Sequence, residues 1–176
     1  MQPSYTNTAE VILMEKKQAF IQTIQQNEAL IYNVAGFYVN NLHDREDLVQ
    51  EIIYQLWKSF DSFNNSAGIS TWLYRVAMNT AIYFLKQSKR RVPAYPVDEN
   101  MLQHAATDDV ETEERLKTMY NYIKELNLLE KGVLMLYLEG KSHEEIGRLT
   151  GITTSNVGTK LSRIREKLKN KIAKTL

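Results

Sequence analysis

The chain has 176 residues, 43% hydrophobic and 24% charged, with no cysteine. That composition is globular and excludes a disordered, collagen-like or purely coiled-coil chain; the missing thiols exclude disulfides, thiolate zinc sites and cysteine nucleophiles. The formal net charge of +1 conceals nine Lys+Arg against eight Asp+Glu in residues 1–91, none against seven in 92–114, and thirteen against six in 115–176, a layout that points to a polyanionic partner for the C-terminal end.

Residues 133–138 are the longest apolar run, far short of the ~20 residues that span a bilayer. Glu10 precedes any apolar stretch and no small-residue cleavage site follows, so a signal peptide is not expected. The reading is a cytoplasmic protein with no direct membrane insertion. Prolines occur only at Pro3, Pro93 and Pro96, which leaves long helices permitted on either side of the pair at 93 and 96. Three segments follow: a helical domain over 10–91, an acidic flexible linker over 92–111, and a second helical domain over 112–176.

Phe20, Ile21, Ile24, Leu30, Ile31, Val34, Ala35 and Phe37 predict one or two helices. Val49, Ile52, Ile53, Leu56, Trp57 and Phe60 then mark one face of an amphipathic helix whose polar side carries Asp44, Asp47, Gln50, Glu51 and Lys58. Asp44 is the expected N-cap, with Glu46 and Asp47 favourably placed in the first turn. Residues 64–68 form a loop, and Ser70 or Thr71 caps a helix running to about Lys89. Trp72, in register with Val76, is read as core rather than as a stacking surface. No alternating strand pattern of useful length occurs, so the fold class is all-α.

Leu116, Met119, Tyr120, Ile123 and Leu126 predict the first helix of the second domain. Residues 133–138 make a short buried helix that stops at Gly140, a suitable C′ residue. Ser142-His143-Glu144-Glu145 is a capping box. Ile146, Gly147, Leu149, Gly151, Ile152, Val157 and Leu161 have the spacing of a helix-turn-helix, with Gly147 allowing close approach and Gly151 the positive φ of the turn. Thr153 or Thr154 caps the second helix, which runs to about Ile172.

That helix carries Lys160, Arg163, Arg165, Lys167, Lys169, Lys171 and Lys174 against one acid, Glu166. Alone, such a run reads equally well as a solvated terminal helix. Behind a turn motif it reads as DNA-binding, because the second helix of such motifs enters the major groove by its first turns. Here those residues are Ser155, Asn156, Thr159, Lys160 and Arg163. Asn and Arg suit adenine and guanine edges, and lysines further along, Lys167 first, neutralise phosphates.

The run Asp44-Arg45-Glu46-Asp47-Leu48-Val49-Gln50-Glu51, then Leu56-Trp57, then Thr71-Trp72-Leu73-Tyr74-Arg75-Val76-Ala77-Met78-Asn79, then Lys89-Arg90-Arg91, resembles region 2 of bacterial sigma factors. Glu144-Glu145-Ile146-Gly147 and Asn156-Val157-Gly158-Thr159-Lys160-Leu161-Ser162-Arg163-Ile164-Arg165 resemble region 4. With only these two regions, the chain resembles the extracytoplasmic function (ECF) group of the sigma-70 family. The resemblance implies that Asp44, Asp47, Gln50 and Glu51 dock on the clamp helices of core RNA polymerase. It implies that Arg75, Asn79, Lys86, Lys89, Arg90 and Arg91 melt and hold the −10 element of promoter DNA, and that the helix-turn-helix reads the −35 element. An anti-sigma factor is a further implied partner. Tyr83 stands where many members have an aspartate, and Gly158 where many have a basic residue.

The rival is a stand-alone helix-turn-helix regulator with an N-terminal sensory or dimerisation domain, which leaves the 44–51 and 72–79 stretches unexplained. An enzyme is not expected. There is no Gly-rich phosphate loop, and His43, His104 and His143 lack metal-ligand spacing. No catalytic residue, metal or cofactor is assigned. The linker runs either through polymerase channels or as a plain solvated tether.

Overall fold

Asn41, Asn127, Ser142 and Thr153 each set a helix start, because the side chain offers an oxygen to a first-turn amide that has no intrahelical partner. In the computed structural model, which describes residues 8–63, 68–91 and 110–175, α1 (Thr8–Gln26) and α2 (Glu28–Tyr38) are separated at Asn27. α3 (Leu42–Ser59) follows, ending in a short 3-10 turn (Phe60–Ser62), and then α4 (Ile69–Arg91). The second half comprises α5 (Val110–Glu125), α6 (Leu128–Leu138), α7 (His143–Thr150) and α8 (Thr154–Thr175). The described residues contain no strand. None of their helices is long and apolar enough to cross a membrane.

Three helix starts differ from the sequence expectation. Asn41, not Asp44, caps α3: its side chain accepts from the Asp44 amide at 2.7 Å. Asn caps as well as Asp, and it comes first in the chain. α4 begins at Ile69, where the Gly68 carbonyl accepts from Thr71 and Trp72, so Ser70 and Thr71 lie inside the first turn. α6 begins at Leu128, because Asn127 and Glu130 form a second capping box. The Asn-x-x-Glu spacing could have been read. Residues 64–67 and 92–109, which hold most of the expected loop and linker, lie outside the described residues.

In the first half α2, α3 and α4 pack on one another. Ile31, Val34, Leu48, Ile52, Leu56 and Leu73 are fully buried there, and so are Ala35, Ala77 and Ala81, whose small side chains let helix axes approach. Phe20 pins α1 onto this bundle by edge contacts with Trp57 and Phe60, at 5.1 and 5.2 Å between ring centres. Trp72 is half-buried against Phe60 and Phe63, as a core residue.

The two halves also pack against each other, which the linker composition did not suggest. α6 lies on α2, and α7 touches α4. The Tyr38 hydroxyl donates to the Leu128 carbonyl at 3.2 Å. Glu139 accepts from Asn33 at 3.1 Å and from the Tyr74 hydroxyl at 3.2 Å. Burial pushes both tyrosine hydroxyls above their usual range, helped at Tyr74 by the Glu139 charge, so both remain donors. At the centre sits Gly132, where a Cβ would come within 2.6 Å of Met78 Cε and 2.9 Å of Tyr38 Oη. Gly132→Leu should therefore wedge α6 away from α2 and α4. In small-angle scattering the radius of gyration should rise above the about 16 Å expected of a compact chain of this length, with helix content by circular dichroism unchanged. An unchanged radius would mean that the contact yields without opening.

Candidate nucleic-acid interface

The turn between α7 and α8 is built from local chemistry. Ser142 Oγ accepts from the Glu145 amide at 3.2 Å, and the Glu145 carboxylate returns bonds to the Ser142 amide and hydroxyl at 2.9 and 2.8 Å. The Ser142 backbone bond, then the side-chain bond, holds that carboxyl below its usual range. A carboxylate so depressed favours the fold above the ordinary carboxylate pKa, and the cap is lost as pH falls through the lowered value. Gly151 ends α7 at φ 75°, and Thr153 caps α8 by accepting from Asn156 at 3.2 Å. Gly147 packs on the turn rather than on a second helix: its Cβ would lie 2.7 Å from the Ile152 carbonyl oxygen.

This turn seats α8 by Val157, Leu161 and Ile164, all buried. The opposite face carries Ser155, Asn156, Thr159, Arg163 and Lys167, all exposed, with Lys160 half-buried beside them. The Thr159 hydroxyl donates to the Ser155 carbonyl at 3.0 Å. Not every cation of this helix is without a partner inside the chain. Arg165 lies over the Tyr137 ring at 4.8 Å. Lys171, expected to meet only DNA backbone or solvent, instead pairs with Glu125 and lies over Tyr122, because α5 packs along the end of α8. Gly158 is half-buried, and a Cβ there would meet the His143 ring at 3.8 Å.

On α4 the buried side is Leu73, Tyr74, Ala77, Met78 and Ala81. Arg75, Asn79 and Lys86 are all exposed on the other side. Lys89, Arg90 and Arg91 continue the helix, and their side chains lie outside the described residues.

On α3, Leu48, Val49, Ile52 and Leu56 face the core, which leaves Asp44, Asp47 and Gln50 exposed. Glu51 is half-buried and accepts from Gln55 at 2.8 Å. Sequence reasoning set His43 aside for want of metal-ligand spacing to the other histidines, yet its Nδ1 lies 3.3 Å from Asp47 Oδ2. His43, Asp44 and Asp47 bring one ligand atom each within 4.8 Å of one another, and the i, i+4 spacing of His43 and Asp47 was the available signal.

The family model for Sigma-70 region 2 matches residues 23–91, and that for Sigma-70, region 4 matches residues 116–168. The chain is 30% identical over 178 residues to the ECF RNA polymerase sigma-E factor of Escherichia coli K12, covering 92% of this chain and 93% of that protein. It is 29% identical over 186 residues to the sigma-E factor of Haemophilus influenzae, covering 88% and 94%. The fold is similar to that of the sigma factor RpoE in complex with the anti-sigma factor NepR from Bartonella quintana. The TM-score is 0.71 at 19% identity, over 89% of this chain and 98% of that one. It is also similar to CnrH in complex with the cytosolic domain of CnrY, with a TM-score of 0.63 at 19% identity, over 88% and 87%. The region 2 match spans the very half that a stand-alone regulator leaves unexplained. With both regions matched in order and a near-full-length relative at 30% identity, the chain belongs to the ECF group of the sigma-70 family.

Proposed function

We propose that this sigma factor docks on core RNA polymerase through Asp44, Asp47, Gln50 and Glu51 of α3. Arg75, Asn79, Lys86, Lys89, Arg90 and Arg91 of α4 then hold the melted −10 element, and Ser155, Asn156, Thr159, Lys160, Arg163 and Lys167 read and grip the −35 element. The functional domains are 10–91 and 112–176, tethered by 92–111. The chain acts in the cytoplasm as a DNA-binding initiation factor, and polymerase supplies the chemistry. An anti-sigma factor fits the same reading, since the solved sigma factor RpoE named above is in complex with the anti-sigma factor NepR.

The observation that carries this reading is the segregation of residues on three helices. In each, the apolar face is buried in the bundle, while Asp44, Asp47 and Gln50 of α3, Arg75, Asn79 and Lys86 of α4, and Asn156, Thr159 and Arg163 of α8 are exposed on the opposite side. Co-purification with core polymerase, followed by run-off transcription on a promoter library, tests it directly. Absence of both binding and promoter-dependent transcripts would overturn it.

Base reading and phosphate holding should separate within α8. Asn156, Lys160 and Arg163 step by four and three along its leading turns, where base edges are within reach. Arg163→Ala should cost about 1–3 kcal/mol on the preferred −35 sequence and relax preference at one position. Lys167→Ala should weaken all sequences alike and reduce the salt slope by about one. Identical promoter profiles and salt slopes for the two variants would make α8 a general basic arm, with specificity carried by the −10 contacts or by DNA shape.

A further inference from the structure

α4 has 23 residues, none of them Asp or Glu, and its cations are Arg75, Lys86, Lys89, Arg90 and Arg91. It also carries four aromatic rings, and three are engaged. Trp72 packs against Phe60 and Phe63, Tyr74 is buried and bonded to Glu139, and Phe84 is half-buried against the core. Tyr83 differs. It is 63% exposed, and among the described residues no other ring packs on it.

Its position on the helix is as informative as its exposure. At 100° per residue, Arg75, Lys86, Asn79 and Tyr83 fall within about 80° of one another. The ring therefore stands on the same open face as two cations and an amide. The Gln87 amide, one turn later, donates to the Tyr83 hydroxyl at 2.6 Å, which holds the ring and lowers the entropy lost when something stacks on it. A free aromatic face among cations, with no acid on the helix, is the arrangement that binds single-stranded nucleic acid: the ring takes a base by its π-face while the cations take the backbone. A base inside a duplex shows no free face, so only an unpaired one fits.

We propose that Tyr83 is the stacking platform for one unpaired nucleobase of the melted promoter strand, with Asn79 beside it for the base edge and Arg75 and Lys86 for the flanking phosphates. The inference rests on the reading of α4 as the −10 helix and adds to it a binding residue at a position where the sequence departs from the family pattern.

The test uses holoenzyme reconstituted with core polymerase and carrying the parent chain, Tyr83→Ala or Tyr83→Phe. Each is bound to a premelted promoter bubble, and then to the same bubble with an abasic site at each non-template −10 position in turn. Tyr83→Ala should lose about five- to hundredfold in bubble affinity. Tyr83→Phe should stay within about twofold, because the ring, not the hydroxyl, does the stacking. At one abasic position the parent and Tyr83→Ala should bind equally. Core affinity and thermal midpoint should match the parent in both variants, since the side chain is exposed. Parental bubble affinity for Tyr83→Ala would overturn the proposal, as would a loss that persists unchanged at every abasic position. Failure of the parent itself to transcribe with core polymerase would instead overturn the underlying reading of the chain.

Discussion

Asp47→Ala and Gln50→Ala should each abolish promoter-dependent transcription while leaving the fold intact. Both side chains stand on the open face of α3, and the core side of that helix, Leu48, Val49, Ile52 and Leu56, is untouched by either change. Truncation therefore opens no cavity, and stability should move by no more than about 0.5 kcal/mol. Polymerase binding is a different matter. Residues central to a protein interface cost about 2 kcal/mol or more when truncated, roughly thirtyfold in affinity. Asp47→Ala also removes the contact with His43 at 3.3 Å, an exposed pair that contributes little to folding. Run-off transcription, core affinity and thermal unfolding of the two variants check the expectation. If both bind core polymerase and transcribe like the parent, α3 is not the docking helix.

Gly147→Ala should damage the other half. The added Cβ would lie 2.7 Å from the Ile152 carbonyl oxygen and 3.6 Å from the Thr154 amide nitrogen, so the turn itself must move. Backbone cannot rotate out of the way as a side chain can, and forced overpacking of this kind costs about 1–3 kcal/mol. Because that turn aims α8, −35 affinity should fall by more than the stability loss alone explains, while core polymerase binding stays at the parental level. Gly151→Ala is the contrasting case: the space around it is open, and only its φ of 75° resists, at about 1–2 kcal/mol. Thermal unfolding and binding to −35 duplex measure both variants. Parental stability and affinity for Gly147→Ala would show that the turn is softer than its contacts imply.

Much of the local structure was legible because its causes are local. The period of Val49, Ile52 and Leu56 is enough to orient α3, since one face of a helix must be buried and the residues opposite it cannot be. The Ser142–Glu145 box and Gly140, whose φ is 76°, likewise follow from bonds reaching three to five residues along the chain. After Gly140 the Lys141 amide reaches back to the Leu136 carbonyl and the Gly140 amide to that of Tyr137, closing α6 as expected. The misplaced starts of α3 and α4 show the limit of such reading, since several neighbouring residues can cap and helix ends shift by a residue or two, whereas the start of α6 at the Asn127–Glu130 box was legible and was missed.

The sequence by itself determined the helical class, the faces of α3, α4 and α8, and the helix-turn-helix, because each depends on periodicity or on bonds a few residues long. Only the tertiary structure decided which polar side chains remain available. It turned Arg165 onto Tyr137 and Lys171 onto Glu125 and Tyr122, engaged Trp72 with Phe60 and Phe63, and left Tyr83 open. It also joined the two halves through Tyr38, Tyr74, Gly132 and Glu139. The physical reason is distance along the chain: Tyr38 meets Leu128, and Tyr74 meets Glu139, across 90 and 65 residues. No local pattern encodes such a pair, and it exists only once both bundles have formed and brought their surfaces together.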